Sequence, residues 1–272
     1  DWFQRICWLN HKRIIQYFIM EYFTFAFFLV LFAAMIMESI DSSLGMMYGT
    51  ILSPFLIGMG FSPVDVVPSI LISQALGGIV GSIQHHRFGN ASFTLKSNDL
   101  KVGLLIFIPG VLAVIMGVIL GVRINTFALS LYIAILMLCM GILVLSGISF
   151  KFSWGKISVI GLISAFNKAI SGGGFGPIIT SGQIIVGRDS KNSIGATTMS
   201  EVVICITSFI VWLLINNKLP LLPLMIALCT GSVMGGFLGP FLLSRIKDTR
   251  VLTKIVALLA IVSGIYALAK IL

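Results

Sequence analysis

Lys168 stands in an otherwise apolar stretch, with Asn167 before it, Ser171 three residues on, and the run Gly172, Gly173, Gly174 behind that. A charge set among apolar runs at membrane depth persists where it faces a partner, a cavity or a substrate. Three consecutive glycines break a helix. The N–H groups freed by such a break are tolerated in a bilayer only where a polar ligand or a water-filled cavity meets them. A half-helix over 175–186 that starts after the glycines turns its open N–H groups and positive dipole end toward an anion. Lys168, Asn167, Ser171 and the backbone of Gly172, Gly173 and Gly174 therefore read as half of an anion site, with the hydroxyl and amide adding hydrogen bonds to a bound oxyanion. Two other uses of Lys168 stay open in the sequence: reaching to the cytoplasmic interface, or neutralising an acid such as Glu201 or Asp41.

Glu38, Asp41 and Glu201 are the acids placed within or near the apolar runs. Intramembrane carboxyls are candidate proton carriers because desolvation disfavours their charged form. Glu201 and Asp41 are the candidates for proton coupling, while Glu38 and Asp41 equally suit the outer end of a first crossing. His85 and His86, beside Arg87, read as cytoplasmic interface residues. No Cys, His or acid completes a metal-ligand set around them, and no metal is expected. Cys7, Cys139, Cys205 and Cys229 have no Cys-x-x-Cys spacing, and the dispersed methionines, Met46 and Met47 included, read as packing residues. The phosphate-loop pattern is absent, as is the paired-histidine zinc motif, so neither a nucleotide cofactor nor enzymatic chemistry is expected.

The elements that must position these groups are membrane helices. Of the 272 residues, 58% are hydrophobic and only 10% charged, and the mean hydropathy is +1.09, values outside the range of soluble domains. The net charge of +9 sits in short connectors rather than on one amphipathic face, which excludes nucleic acid as the expected partner. The first apolar run, 14–37, is too long for a signal-peptide core, and the leading Asp1 suggests a missing native start.

Continuous crossings are expected at roughly 17–38, 65–86, 102–122, 126–148, 193–214, 220–243 and 250–270. Residues 39–58 and 157–186 each carry a break, at Gly45–Pro54 and Ser171–Pro177, and suit re-entrant hairpins. With a cytoplasmic N-terminus, the basic residues then fall inside, except Arg123, Lys218 and Lys270 outside and Lys168 in the membrane. Counting each hairpin as two crossings spoils that asymmetry.

An internal duplication follows. Pro54 corresponds to Pro177, and Gly60–Gln74 to Gly187–Glu201. Ala113 and Gly117 match Gly235 and Gly239 ahead of Arg123-Ile124 and Arg245-Ile246. Each repeat is one hairpin plus three crossings, and an odd number inverts the second copy, an architecture of secondary transporters with the site where the repeats meet. The expected fold is thus an all-α polytopic membrane protein: an N-terminal segment and extra helix over 1–38, a first repeat over 39–150 and a second over 151–272.

Ser171 to Pro177 in a broken helix, followed by Ile194 to Glu201, resembles the second-half signature of the TauE/SafE family of sulfite exporters. Gly49–Pro54 and Pro68–Gln74 resemble its first-half counterpart, although Met46, Met47 and Tyr48 stand where more glycine is expected. The resemblance covers nearly all of 33–270. It implies a multi-pass protein of the inner (cytoplasmic) cell membrane that exports sulfite, a short organosulfonate or a related sulfur anion; a homo-oligomer stays open, since the sequence does not set the oligomeric state. Thr50 and Gln74 join the substrate-binding candidates as first-half counterparts. An anion channel, or a permease for another anion such as thiosulfate, is the competing expectation.

Overall fold

The computed structural model describes residues 25–121, 126–147, 151–171, 174–217 and 219–269. Among these the regular structure is helical, without strands. α1 is Phe25–Leu44, followed by α2 (Tyr48–Gly58), α3 (Pro63–Arg87), α4 (Asn98–Gly121), α5 (Thr126–Leu145), α6 (Trp154–Ser171), α7 (Phe175–Ile185), α8 (Ser190–Asn216), α9 (Leu222–Arg245) and α10 (Thr249–Ala269). Among the described residues, five helices are long and apolar enough to cross a membrane: α1, and the spans Asp65–Arg87, Asn98–Val118, Ser190–Ile215 and Leu222–Arg245. Large apolar side chains such as Phe28, Ile108, Leu112, Leu214, Phe237 and Val262 face outward, as a surrounding lipid solvent requires. The chain is a multi-pass membrane protein.

Both helix breaks exist, and glycine makes them. α1 ends at Gly45, whose φ of 76° lies in the left-handed region, and whose N–H donates to the Asp41 carbonyl at 2.6 Å. α7 starts after Gly174 at φ 75°, α2 after Met47 at φ 109°. The prolines taken as break markers lie inside helices. Pro177 sits in the first turn of α7, where a missing N–H costs nothing, and Pro54 sits within α2.

The arms before the breaks are longer than expected. α1 runs unbroken from Phe25 across the boundary drawn at 38/39, so the described part of the expected crossing 17–38 belongs to the same helix as Asp41. Residues 17–24 lie outside the described chain. α2 folds back along α1: Tyr48, Leu52 and Leu56 pack with Val30 and Ala34, and Met59 and Phe61 share a small apolar cavity of about 160 Å³ with Phe27. α7 folds back along α6 in the same way, Gly182 lying against Ile160. α6 has 18 residues, about 27 Å, which is most of a ~30 Å hydrocarbon core.

The breaks meet. Thr180 Oγ1 donates to the Gly45 carbonyl at 3.0 Å, and a Cβ on Gly176 would lie 2.8 Å from Met46 Cα and closer still to the Gly45 carbonyl oxygen. Gly176→Val should therefore lower stability by about 3 kcal/mol or more, since backbone on both sides would have to move. Thermal unfolding of the purified protein in detergent measures this.

Around the crossing, α3 packs on α8 and α9, α4 on α6 and α8, and α5 on α10. Glycines bring α9 onto α1: Gly231 faces Leu31 and Ala34, Gly235 faces Glu38, and Gly239 faces Ser39 and Ser42. Gly117 brings α4 onto Phe166 and Ala169 of α6 in the same manner.

A single interval relates these elements. Gln74 and Glu201 are 127 residues apart. The same interval separates the starts of α2 and α7, each 11 residues long, and the starts of α3 and α8. It also relates the left-handed Met47 to Gly174 and the left-handed Gly60 to Gly187. At this interval Pro54 stands opposite Ser181 and Pro177 opposite Thr50, which replaces the Pro54–Pro177 pairing. Asp41 stands opposite Lys168.

Candidate functional site

Four of the expected residues converge where the broken helices cross. Lys168, on the last turn of α6, is 1% exposed. Its Nζ donates to Glu201 Oε1 of α8 at 2.9 Å and to Gln74 Oε1 of α3. The Gln74 amide donates in turn to Glu201 Oε1 at 2.9 Å and to Asp41 Oδ2 of α1 at 3.3 Å. The Tyr48 N–H, the first of α2, donates to Asp41 Oδ1 at 3.0 Å, so the carboxylate occupies the open end of that helix.

Lys168 is paired with Glu201, one of the uses open in the sequence. Gln74 is the link: one amide accepts from the ammonium and donates to both carboxylates, which no other side chain at that position does without changing charge. Burying one cation with two carboxylates in an apolar bundle is costly unless each lone pair and proton is used, and breaking such a pair costs about 3–5 kcal/mol.

The remaining candidates fall nearby or outside the described chain. Asn167 is fully buried next to Lys168. Thr50 Oγ1 accepts the Gly174 N–H at 3.3 Å, tying the first turn of α2 to the glycine break before α7. Gly172, Gly173 and the side chain of Ser171 lie outside the described residues.

Sequence reasoning missed the hydroxyl groups that line the first half. Tyr48 is fully buried and its hydroxyl lies 2.8 Å from Ser73 Oγ. Glu38, far from marking an outer helix end, is 1% exposed and accepts from Ser42 at 2.8 Å and Ser232 at 3.1 Å. The available signal was Ser42 one turn after Glu38, the spacing that lets two helical side chains meet. His85 also departs from expectation: it is buried beside Asn90 while His86 is exposed.

Each end of the bundle is tied by polar contacts between helix starts. At one end Asp99 accepts from Arg188 at 2.7 Å, from Asn192 at 2.9 Å and from the Ser92 N–H at 2.8 Å. At the other, Asp65 accepts from the Leu221 N–H at 3.1 Å. Asp65 and Asn192 are again 127 residues apart, the Gln74–Glu201 interval.

Among the described residues, no group of three or more His, Cys, Asp or Glu is placed to hold a metal. At the centre stand a cation, an amide and two carboxylates, each hydrogen-bonded within the group.

A "Probable membrane transporter protein YtnM" of Bacillus subtilis (strain 168) is 25% identical over 191 residues, 65% of this chain. The alignment spans 61% of that relative's length. No solved structure matches. The family model for Sulfite exporter TauE/SafE matches residues 29–267, from the first arm of the first hairpin to the end of α10. The chain therefore belongs to the TauE/SafE sulfite exporter family of membrane transporters.

Proposed function

We propose that this protein is a secondary transporter that moves a small sulfur oxyanion, sulfite or a short organosulfonate, out of the cytoplasm across the cell membrane. The observation that carries this reading is the enclosed Lys168–Glu201–Gln74–Asp41 cluster at the crossing of two glycine-broken helices. An oxyanion entering there takes the place of the Glu201 carboxylate on Lys168, with Asn167, Ser171 and the N–H groups of Gly172, Gly173 and Gly174 as further donors. Glu201, deprived of its counter-ion in a low-dielectric bundle, then takes a proton, with Asp41 as its neighbour through Gln74. Anion and proton thus load together. The near-complete burial of Lys168 and Glu201 favours an alternating carrier over an open channel.

The two halves act as inverted repeats, with the α1–α2 hairpin entering from outside and the α6–α7 hairpin from the cytoplasm. The 127-residue correspondence and the gathering of basic residues in the connectors after α3, α5, α7 and α9 support this arrangement. Cysteines at Gly60 and Asp189 should be labelled by an impermeant reagent from opposite sides. Labelling of both from one side contradicts the inverted arrangement. Reconstituted protein should show saturable, gradient-coupled uptake of a sulfur oxyanion and counterflow, and linear non-saturating flux would make it a channel.

A further inference from the structure

Glu38 lies outside the cluster just described, and the molecule holds its own control for it. The carboxylate sits in the junction of α1, α3 and α9. A Cβ on Gly77 would lie 2.8 Å from Glu38 Cδ, and one on Gly235 2.6 Å from Glu38 Cβ. The interval that pairs Gln74 with Glu201 places Ala165 opposite Glu38 and Ile204 opposite Gly77. The Gly117–Gly239 correspondence places Gly110 opposite Ser232. Those three counterparts meet one another: a Cβ on Gly110 would lie 2.5 Å from Ile204 Cδ1 and 3.0 Å from Ala165 Cβ. At the counterpart junction of α4, α6 and α8, then, the contact is closed by apolar groups, with the Ile204 side chain in the place of the Glu38 carboxyl. Packing here does not call for an acid.

The hydrogen-bond shell separates Glu38 from the other two buried carboxylates. Asp41 accepts from a backbone N–H and an amide, and Glu201 from an amide and an ammonium. These groups only donate, and they suit an ionised acceptor. Glu38 is held by two serine hydroxyls, Ser42 on Oε1 and Ser232 on Oε2. A hydroxyl donates to a carboxylate and, after rotating, accepts from a carboxylic acid, so this shell satisfies both protonation states. The titratable groups facing Glu38 are Asp41 on α1, Tyr48 on α2, and Glu201 and Cys205 on α8; α3 presents Gly77, and α9 presents Ser232 and Gly235. No ion pair to Glu38 exists among the described residues.

We infer that Glu38 is a proton-binding site in the membrane core of the first half, distinct from the Lys168–Glu201 pair. Its use as a second coupling proton rests on the transport reading above, whereas the proton site itself does not. Infrared difference spectroscopy on the purified protein during a pH titration, without any anion, tests it. The wild type should show the carbonyl band of a protonated buried carboxyl that appears as the pH falls. Glu38→Gln should lack that band and take up one proton fewer per chain, while Lys168→Met keeps it and adds a second band from the unpaired Glu201. Should Glu38→Gln fail to fold, Glu38→Ala with Ser232→Gly, which copies the second half, is measured instead. An unchanged band in the folded variant overturns the inference, as does misfolding of both variants, which would make Glu38 a packing residue. A band lost with Glu38 in a protein that binds no sulfur anion would leave this site standing and remove the transport reading. A band that persists beside Lys168-dependent anion binding would do the reverse.

Discussion

Lys168→Met should weaken anion binding by roughly ten- to more than a hundredfold and, at neutral pH, destabilise the protein. The thioether side chain keeps the apolar stem but removes the ammonium, and losing a charge-assisted hydrogen bond to a bound oxyanion costs about 1.5–3 kcal/mol. That corresponds to roughly ten- to more than a hundredfold in affinity. A second cost falls on the empty protein, because Glu201 loses the Nζ contact at 2.9 Å and stays 4% exposed. An unpaired buried charge costs about 3–5 kcal/mol, which protonation relieves. The variant should accordingly regain stability as the pH falls, and adding Glu201→Gln should restore stability at neutral pH without restoring binding. Thermal unfolding across pH, beside anion titration of the same samples, separates the two costs. If the single variant is as stable as the wild type and binds as well, Lys168 is not part of the site.

Glu201→Gln should do the opposite to binding and remove coupling. With the competing carboxylate gone, Lys168 is freer for the anion, so affinity should rise, and its dependence on pH should flatten. In proteoliposomes the variant should lose flux driven by a pH gradient while keeping exchange of substrate down its own gradient. An anion also leaves a negative-inside cell on voltage alone, at about 2.3 kcal/mol per charge per 100 mV. Wild-type flux that follows voltage only, matched by the variant, would reduce Glu201 to a structural partner of Lys168.

The chemistry of the centre was legible because polar residues are conspicuous in apolar runs. Lys168, Glu201 and Asp41 stood out for that reason, and Gln74 through its place opposite Glu201. What the sequence obscured was how α1 continues. Glu38 and Asp41 lower the local hydropathy, which reads as a helix end, yet both are satisfied by other helices, Glu38 by Ser232 and Asp41 by Gln74. Hydropathy along the chain does not register partners that arrive from elsewhere in the fold. The prolines misled for a related reason: proline ends a helix in its interior but fits a first turn, as Pro177 does in α7. The interval from Gly60–Gln74 to Gly187–Glu201 was legible, and the matched positive φ of Gly60 and Gly187 agrees with it; carried back along the chain it sets Asp41 opposite Lys168. Opposite charges at equivalent positions hide such a correspondence from similarity of residue type.

The most direct test of the account is anion binding by purified wild type and Lys168→Met, read as thermal stabilisation against a panel of sulfite, thiosulfate, taurine and short sulfonates. At least one sulfur oxyanion should stabilise the wild type in a saturable way, at concentrations that leave Lys168→Met unmoved. No stabilisation of the wild type by any member of the panel, or equal stabilisation of both proteins, would contradict a sulfur-anion site at Lys168.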